Sequence, residues 1–176
     1  MSDTAMSIVG ARFIAPALPI RKNLRLKHYD YTKPGAYFVT ICCAERQCML
    51  GKVCDDDVIP SEVGRLVSVH WLHIEERFPS VQLDAFVLMP NHVHGVLLLT
   101  DAGAMNRAPT LGEVVRSFKA SVTRAANGLV SMPFWQRGFH ERVVRNEGEL
   151  SRVREYIANN PRQWSMDEEN PDRSVN

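Results

Sequence analysis

The chain lacks any apolar run long enough to cross a membrane. Its longest, such as residues 96–99, fall far short of the ~20 residues a spanning helix needs. Residues 1–12 lack the charged-then-apolar order of a secretory signal, so no export leader is expected. Cysteine is scarce: Cys42, Cys43, Cys48 and Cys54 form no C-x-x-C pair, and no second cluster completes a zinc site. We therefore expect four reduced thiols in a cytoplasmic protein rather than a disulfide scaffold. Charge of one sign is also missing, since the net charge is +1, and the total gives no argument for a nucleic-acid partner. What is present is ordinary. With 176 residues, 45% hydrophobic and 23% charged, the composition fits one globular domain with tails and excludes collagen-like and wholly disordered classes.

The near-zero total conceals a blocked distribution. Residues 12–33 carry net +5, residues 34–106 net −5, residues 107–145 net +5 and residues 146–176 net −3. Of the 21 basic residues 16 are Arg, whose planar fork of donors matches phosphate or carboxylate, although a GC-rich genome produces the same bias. Two basic blocks are compatible with positive stripes on a divided surface, or with solvated faces beside counter-charges.

Residues 1–23 have no sustained period and contain Pro16 and Pro19, which reads as a mobile basic arm; residues 165–176 read as an acidic tail. Between them, residues 24–164 form the domain. Residues 36–43 are aromatic and β-branched and predict a strand; residues 49–53 predict a short partner strand. Residues 61–77 predict a helix capped by Ser61, and residues 81–89 and 92–100 two strands joined as a central hairpin. After the loop 101–109, Thr110 and Glu113 form a capping box for a helix running to Asn127-Gly128. Residues 134–144 read as a twisted strand or extended segment. Asn146 and Glu149 open a last helix expected to end near Asn160, because Pro161 disfavours helix at the residue before it. The order predicts an α+β fold, a central antiparallel sheet with helices over one face.

The segment Met89-Pro-Asn-His92-Val-His94-Gly carries the chemistry. Alternate residues of a strand share a face, so His92 and His94 project side by side. Such a pair can hold one divalent cation, or be two hydrogen-bonded histidines. On the last helix, Tyr156 and Asn160 stand four apart on one face. Tyr156 reads as a nucleophile or a core-edge aromatic, and Asn160 as a third metal ligand or a helix C-cap. His70 and His73 read as a solvated helix edge.

Pro90-Asn91-His92-Val93-His94 before an apolar strand, with a Tyr on a C-terminal helix, resembles the single-tyrosine HUH nucleases of the IS200/IS605 transposase superfamily. Tyr29-Asp30-Tyr31 before Pro34-Gly35-Ala36-Tyr37-Phe38-Val39-Thr40-Ile41 narrows the resemblance to the REP-associated tyrosine transposases. So do Ser117-Phe118-Lys119, Phe134-Trp135-Gln136-Arg137-Gly138-Phe139, and Tyr156-Ile157 with Asn159-Asn160-Pro161 and Trp164. The resemblance spans about residues 24–164. It implies a ferredoxin-like HUH fold with the nucleophilic tyrosine on its C-terminal helix. It implies that His92, His94 and Asn160 hold one Mg²⁺ or Mn²⁺, and that Tyr156 attacks the scissile phosphate to leave a 5′-phosphotyrosine. The implied substrate is single-stranded DNA at hairpin-forming repetitive extragenic palindromes (REPs), in a monomer located at the cytoplasmic nucleoid.

The basic blocks then supply candidate DNA contacts. These are Arg21, Lys22, Arg25 and Lys27 on the arm, Arg116, Lys119 and Arg124 on the middle helix, and Arg137, His140, Arg142 and Arg145 near the last strand. Trp135, Phe139 and Trp164 are candidate base-stacking platforms or core residues. The competing readings are a dimeric insertion-sequence transposase, a catalytically silent hairpin-binding protein, and an unrelated H-x-H metal hydrolase.

Overall fold

The computed structural model describes residues 34–100, 108–130, 132–167 and 170–171. The elements run β1 (Gly35–Cys42), β2 (Gly51–Cys54), β3 (Asp57–Pro60), α1 (Glu62–Arg77), β4 (Val81–Leu88), β5 (His92–Leu99), α2 (Leu111–Ala125), β6 (His140–Val144) and α3 (Glu147–Gln163), with 3-10 turns at Ala44–Arg46 and Trp164–Met166. Four strands form an antiparallel sheet in the order β4-β5-β1-β6. The fold is α+β, as expected.

Strand alternation divides the residues of the sheet between two cores. Tyr37, Val39, Ile41, Val93 and Leu97 pack with α1 and α2 residues such as Val67, Trp71, Val114 and Phe118. Phe38, Val96 and Leu98 pack with Leu150, Val153 and Ile157 of α3. Helices therefore cover both faces, which corrects the expectation of helices over one face. Nearly every β5 residue is buried because both faces of that strand are covered.

The caps explain where the helices start. Ser61 accepts from the Gly64 N–H at 3.0 Å, and the Thr110–Glu113 capping box is present in both directions. At α3, Asn146 accepts from the Glu149 N–H at 2.9 Å, but the Glu149 carboxylate turns instead to the Arg145 N–H and the Arg142 guanidinium, so no box forms.

Three further expectations are corrected. The segment near residues 49–53 does not join the main sheet; β2 pairs with β3 in a separate hairpin. Its two-residue turn, Asp55-Asp56, has φ +50° and +66°, the mirror-type turn that matches strand twist, and Asp tolerates it without glycine. Of residues 134–144 only His140–Val144 is strand, the earlier part being irregular apart from a bridge between Trp135 and Cys43. Finally, α3 continues through Pro161 to Gln163. A proline near a helix end forfeits only one hydrogen bond, and the last turn closes without it.

Close approach of α1 to the sheet depends on Gly95. A Cβ there would lie 2.3 Å from Trp71 Cζ2, and Trp71 is held by Phe86 (4.9 Å, stacked) and Phe118 (5.4 Å, edge-on). We expect Gly95→Ala to destabilise the fold by about 1–3 kcal/mol, as overpacking does. Urea unfolding followed by tryptophan fluorescence measures it; an unchanged midpoint would show that the Trp71 ring yields without cost.

Candidate active site

Strand β5 begins at His92, in register with Cys42 of β1, and His94 lies opposite Thr40. Both imidazoles face α3 and both are buried. Their Nε2 atoms are 3.0 Å apart. His92 Nδ1 lies 2.8 Å from Asn91 Oδ1, while the Asn91 amide nitrogen donates to the Arg46 carbonyl at 3.0 Å. Because the amide nitrogen is the donor there, Asn91 Oδ1 accepts, and His92 Nδ1 carries the proton. That tautomer leaves the His92 Nε2 lone pair directed at His94. His94 Nδ1 is likewise engaged, by Thr40 Oγ1 at 2.8 Å. Burial pushes His92 down to about 3, with the Arg46 charge adding to the effect, and burial and His92 push His94 well below its ordinary value. Both rings are therefore neutral at physiological pH.

The hydroxyl of Tyr156 stands 3.4 Å from His94 Nε2. Phe38 stacks on His94 at 5.2 Å and meets Tyr156 edge-on at 6.0 Å, so one aromatic side chain of β1 orients both. Asn160 is one turn beyond Tyr156, and Trp164, a further turn on, lies 6.1 Å from His92. Asn160 thus falls on the α3 stripe that runs across the histidine pair. It is 1% exposed, and its Oδ1 has no hydrogen-bond partner. Since α3 continues past it, its reading as a helix cap is withdrawn. A buried Asn160 amide oxygen without a partner, on the helix that carries Tyr156 to two neutral imidazoles, fits a divalent cation. Two nitrogens bound at right angles to an ion about 2.1 Å away stand about 3 Å apart. Among the described residues there is no group of three or more His, Cys, Asp or Glu that could hold a metal ion.

Helix α3 is fixed to the sheet by two charged contacts. A bulge in β4 between Leu83 and Phe86 frees Asp84, which accepts from Arg154 Nε at 2.8 Å and Nη2 at 2.7 Å. Arg142 of β6 pairs with Glu149. The Arg154 contact holds the Asp84 carboxyl below its ordinary range, and the Arg145 N–H, with Arg142, does the same for Glu149.

The candidate DNA contacts are spread over the molecule. Arg116, Lys119 and Arg124 line a cleft of about 790 Å³ with Asn127 and Trp135, on the α2 side of the sheet and apart from the histidine pair. Lys119 is also a strut: its Nζ donates to the carbonyls of Gln136 (2.6 Å) and Gly138 (2.8 Å), and burial lowers its pKa. Arg137 and Arg145 are exposed, whereas Arg142 is engaged by Glu149. His140 is half-buried opposite Thr40. Arg21, Lys22, Arg25 and Lys27 lie outside the described residues, as does nearly all of the acidic tail. Trp135 and Phe139 pack in or against the core, while Trp164 is at the site. His70 and His73 stay on the α1 surface with rings 5.9 Å apart. Sequence reasoning missed Thr40, Phe38 and Arg46, and assigned no role to Asn91; only the strand register brings the first two to His94.

No protein-family model matches the chain. The solved structure of a REP-associated tyrosine transposase bound to a REP hairpin superposes with a TM-score of 0.59 at 21% identity, covering 77% of this chain and 71% of that one. A putative transposase of Deinococcus radiodurans, 18% identical, gives a TM-score of 0.48 over 77% of this chain and 95% of that one. The first of these two likenesses shows a fold shared with a REP-associated tyrosine transposase, and the relationship implied by the motifs holds at the level of fold. The chain is also 34% identical over 165 residues to an uncharacterized protein of Haemophilus influenzae, covering 84% of this chain and 92% of that protein, and belongs to one family with it.

The lowered carboxyls make α3 docking acid-sensitive. A carboxyl depressed in the fold contributes stability that is complete above its unfolded pKa, about 4, and is lost as pH falls through the folded value. We expect Asp84→Asn to lower the unfolding midpoint at pH 7 and to flatten part of its decline below pH 4. Equal midpoints at pH 7 would remove the Arg154–Asp84 contact from the account of how Tyr156 is positioned.

Proposed function

We propose that this protein is a metal-dependent endonuclease and strand transferase for single-stranded DNA at hairpin-forming repetitive extragenic palindromes, with Tyr156 as nucleophile. One observation carries the reading: the two histidine Nε2 atoms stand 3.0 Å apart, the Tyr156 hydroxyl is 3.4 Å from one of them, and Asn160, with its orphaned oxygen, follows one turn along the same helix. The likeness in fold to a protein solved with a REP hairpin supports the substrate class.

In this reading His92, His94 and Asn160 hold one Mg²⁺ or Mn²⁺. When bound, such an ion polarises a phosphoryl oxygen and offsets charge developing in the transition state. Asn91 and Thr40 fix the two imidazoles by their Nδ1 atoms, so that both Nε2 atoms are held facing one point without ring rearrangement. The Tyr156 oxygen attacks phosphorus, and the bond from phosphorus to the 3′ oxygen breaks. The phenol proton is released and the departing oxygen takes one up to become a 3′-hydroxyl, while the 5′-phosphate remains esterified to Tyr156. One phosphodiester replaces another, so a 3′-hydroxyl can reverse the step and rejoin strands without ATP. Among the described residues no helix is long and apolar enough to cross a membrane. We read the protein as a monomer acting at the nucleoid in the cytoplasm, with residues 1–23 as a basic arm and residues 165–176 as an acidic tail.

Hairpin-bearing single-stranded DNA with Mg²⁺ or Mn²⁺ should give a protein–DNA adduct that survives denaturation. Tyr156→Phe should abolish the adduct and retain hairpin binding. Adduct or cleavage that persists in Tyr156→Phe would overturn the tyrosine mechanism and favour water as nucleophile; hairpin binding with no adduct from the wild type would leave a silent binding protein. Light scattering of the complex separates a monomer from an insertion-sequence type of dimer.

The orienting role of Asn91 has its own check. Asn91→Ala should weaken Mn²⁺ binding by roughly 10–100-fold, as loss of a ligand's hydrogen-bond partner does. Calorimetric titration of Mn²⁺ measures it, and unchanged affinity would contradict the tautomer assignment.

A further inference from the structure

The cleft on the α2 side of the sheet has two chemically different sides. Arg116, Lys119, Thr123, Arg124 and Asn127 follow one another at steps that keep them on one face, and all five line the cleft. Met132, Pro133 and Trp135 line it too. Met132 is 46% exposed and Pro133 is exposed, so this second side offers apolar surface to a ligand. Trp135 is nearly buried and fixed in place: its Nε1 donates to the Lys119 carbonyl at 3.3 Å, and Phe134 meets its ring at 4.4 Å. The Lys119 ammonium is engaged by the Gln136 and Gly138 carbonyls, so the exposed guanidinium groups of Arg116 and Arg124 set the charge of the cleft. Among the described residues no Asp or Glu lines it.

Positive charge on one side and apolar surface on the other match a nucleotide, which has an anionic phosphate and an apolar base face. The base face is hidden in a duplex and open in a single strand. Eight residues of helix separate Arg116 from Arg124 by about 12 Å along the axis, which suits successive phosphates of an extended strand better than the one phosphate of a free nucleotide. The cleft also adjoins the route to the candidate active site. Trp135 bridges to Cys43, and the Gln136 N–H donates to the Cys42 carbonyl at 2.9 Å. Cys42 is the last residue of β1 and stands opposite His92. DNA leaving the cleft past this end of the sheet therefore comes to the end that carries the histidine pair.

We propose that this cleft is a second DNA subsite, which holds a short single-stranded stretch with its phosphates on Arg116 and Arg124 and an unpaired base against Met132 and Trp135. Lys119 is the positioning residue: it holds the segment that carries Trp135 against α2 and does not touch the DNA. The inference deepens the nickase reading and rests on it for the kind of ligand.

The test follows the anisotropy of a short fluorescein-labelled oligothymidine bound to the full chain over a range of salt. Replacing Arg116→Ala together with Arg124→Ala should weaken binding and reduce the slope of log affinity against log salt by about 1.4, since each phosphate contact to a single strand contributes about 0.7. Lys52→Ala with Arg65→Ala removes the same charge from exposed positions outside the cleft and should leave the slope near the wild-type value. Irradiating the wild type with bromodeoxyuridine-substituted oligothymidine should crosslink the tryptic peptide of residues 125–137, which contains Met132 and Trp135. Thymidine monophosphate should fail to displace the oligonucleotide. Equal slopes in the two double variants, or crosslinks confined to other peptides, overturn the subsite; displacement by the mononucleotide overturns a strand as its occupant in favour of a free nucleotide. None of these readouts requires Tyr156 to react. Crosslinking in the cleft by a protein that forms no adduct overturns the nickase reading and leaves the subsite, whereas adduct formation without that crosslink does the reverse.

Discussion

Two neutral imidazoles facing each other at 3.0 Å inside a covered sheet are the constraint around which the rest is arranged. Burial on this scale excludes protonation and leaves lone pairs that must be satisfied from within. Each ring is pinned at Nδ1, one by its neighbour Asn91 and the other by Thr40 across the β1–β5 pair. Pinning both outer nitrogens turns both inner ones towards each other, 3.0 Å apart. The orphaned Asn160 oxygen belongs to the same account, since a buried amide oxygen without a partner is costly unless a ligand satisfies it.

The second requirement is that a helix bring its tyrosine to a strand. Here the two faces of the sheet separate the tasks. The α1–α2 face is a dense apolar core in which Trp71 presses on Gly95, and it makes β5 rigid. The α3 face has a smaller apolar core, supplemented by Arg154 on Asp84 and Arg142 on Glu149. The β4 bulge that releases Asp84 is thus part of how Tyr156 is aimed. Arg142, Lys119 and Asp84 show the same economy: charged residues on either face of the sheet hold backbone or helix in place.

Local chemistry was legible in the sequence wherever one element carried it. The spacing of His92 and His94, the four-residue step from Tyr156 to Asn160, and the caps at Ser61 and Thr110 all follow from the periods of a strand or helix. What depends on register was not legible. Thr40 reaches His94 because β1 and β5 pair in one of many alignments, and Phe38 meets Tyr156 only after α3 docks on that face. The hairpin of β2 and β3 escaped because Asp55-Asp56 supplies the mirror-type turn without glycine. Pro161 suggested an early stop to α3 because it restricts the residue before it, yet a proline near a helix end removes only one bond and is tolerated there. The charge blocks indicated cations without saying which are engaged: Lys119 and Arg142 are, in contacts within the fold.

The central claim is that the Tyr156 oxygen, and no other atom, becomes joined to DNA. Trypsin releases Tyr156 as the only tyrosine of the peptide spanning residues 155–162, apart from Tyr29, Tyr31 and Tyr37. Mass spectrometry of a digested protein–DNA reaction should find a nucleotide joined through its 5′-phosphate to Tyr156 within that peptide. A nucleotide on one of the other three tyrosines, or DNA cleaved with residues 155–162 unmodified throughout the time course, would contradict it.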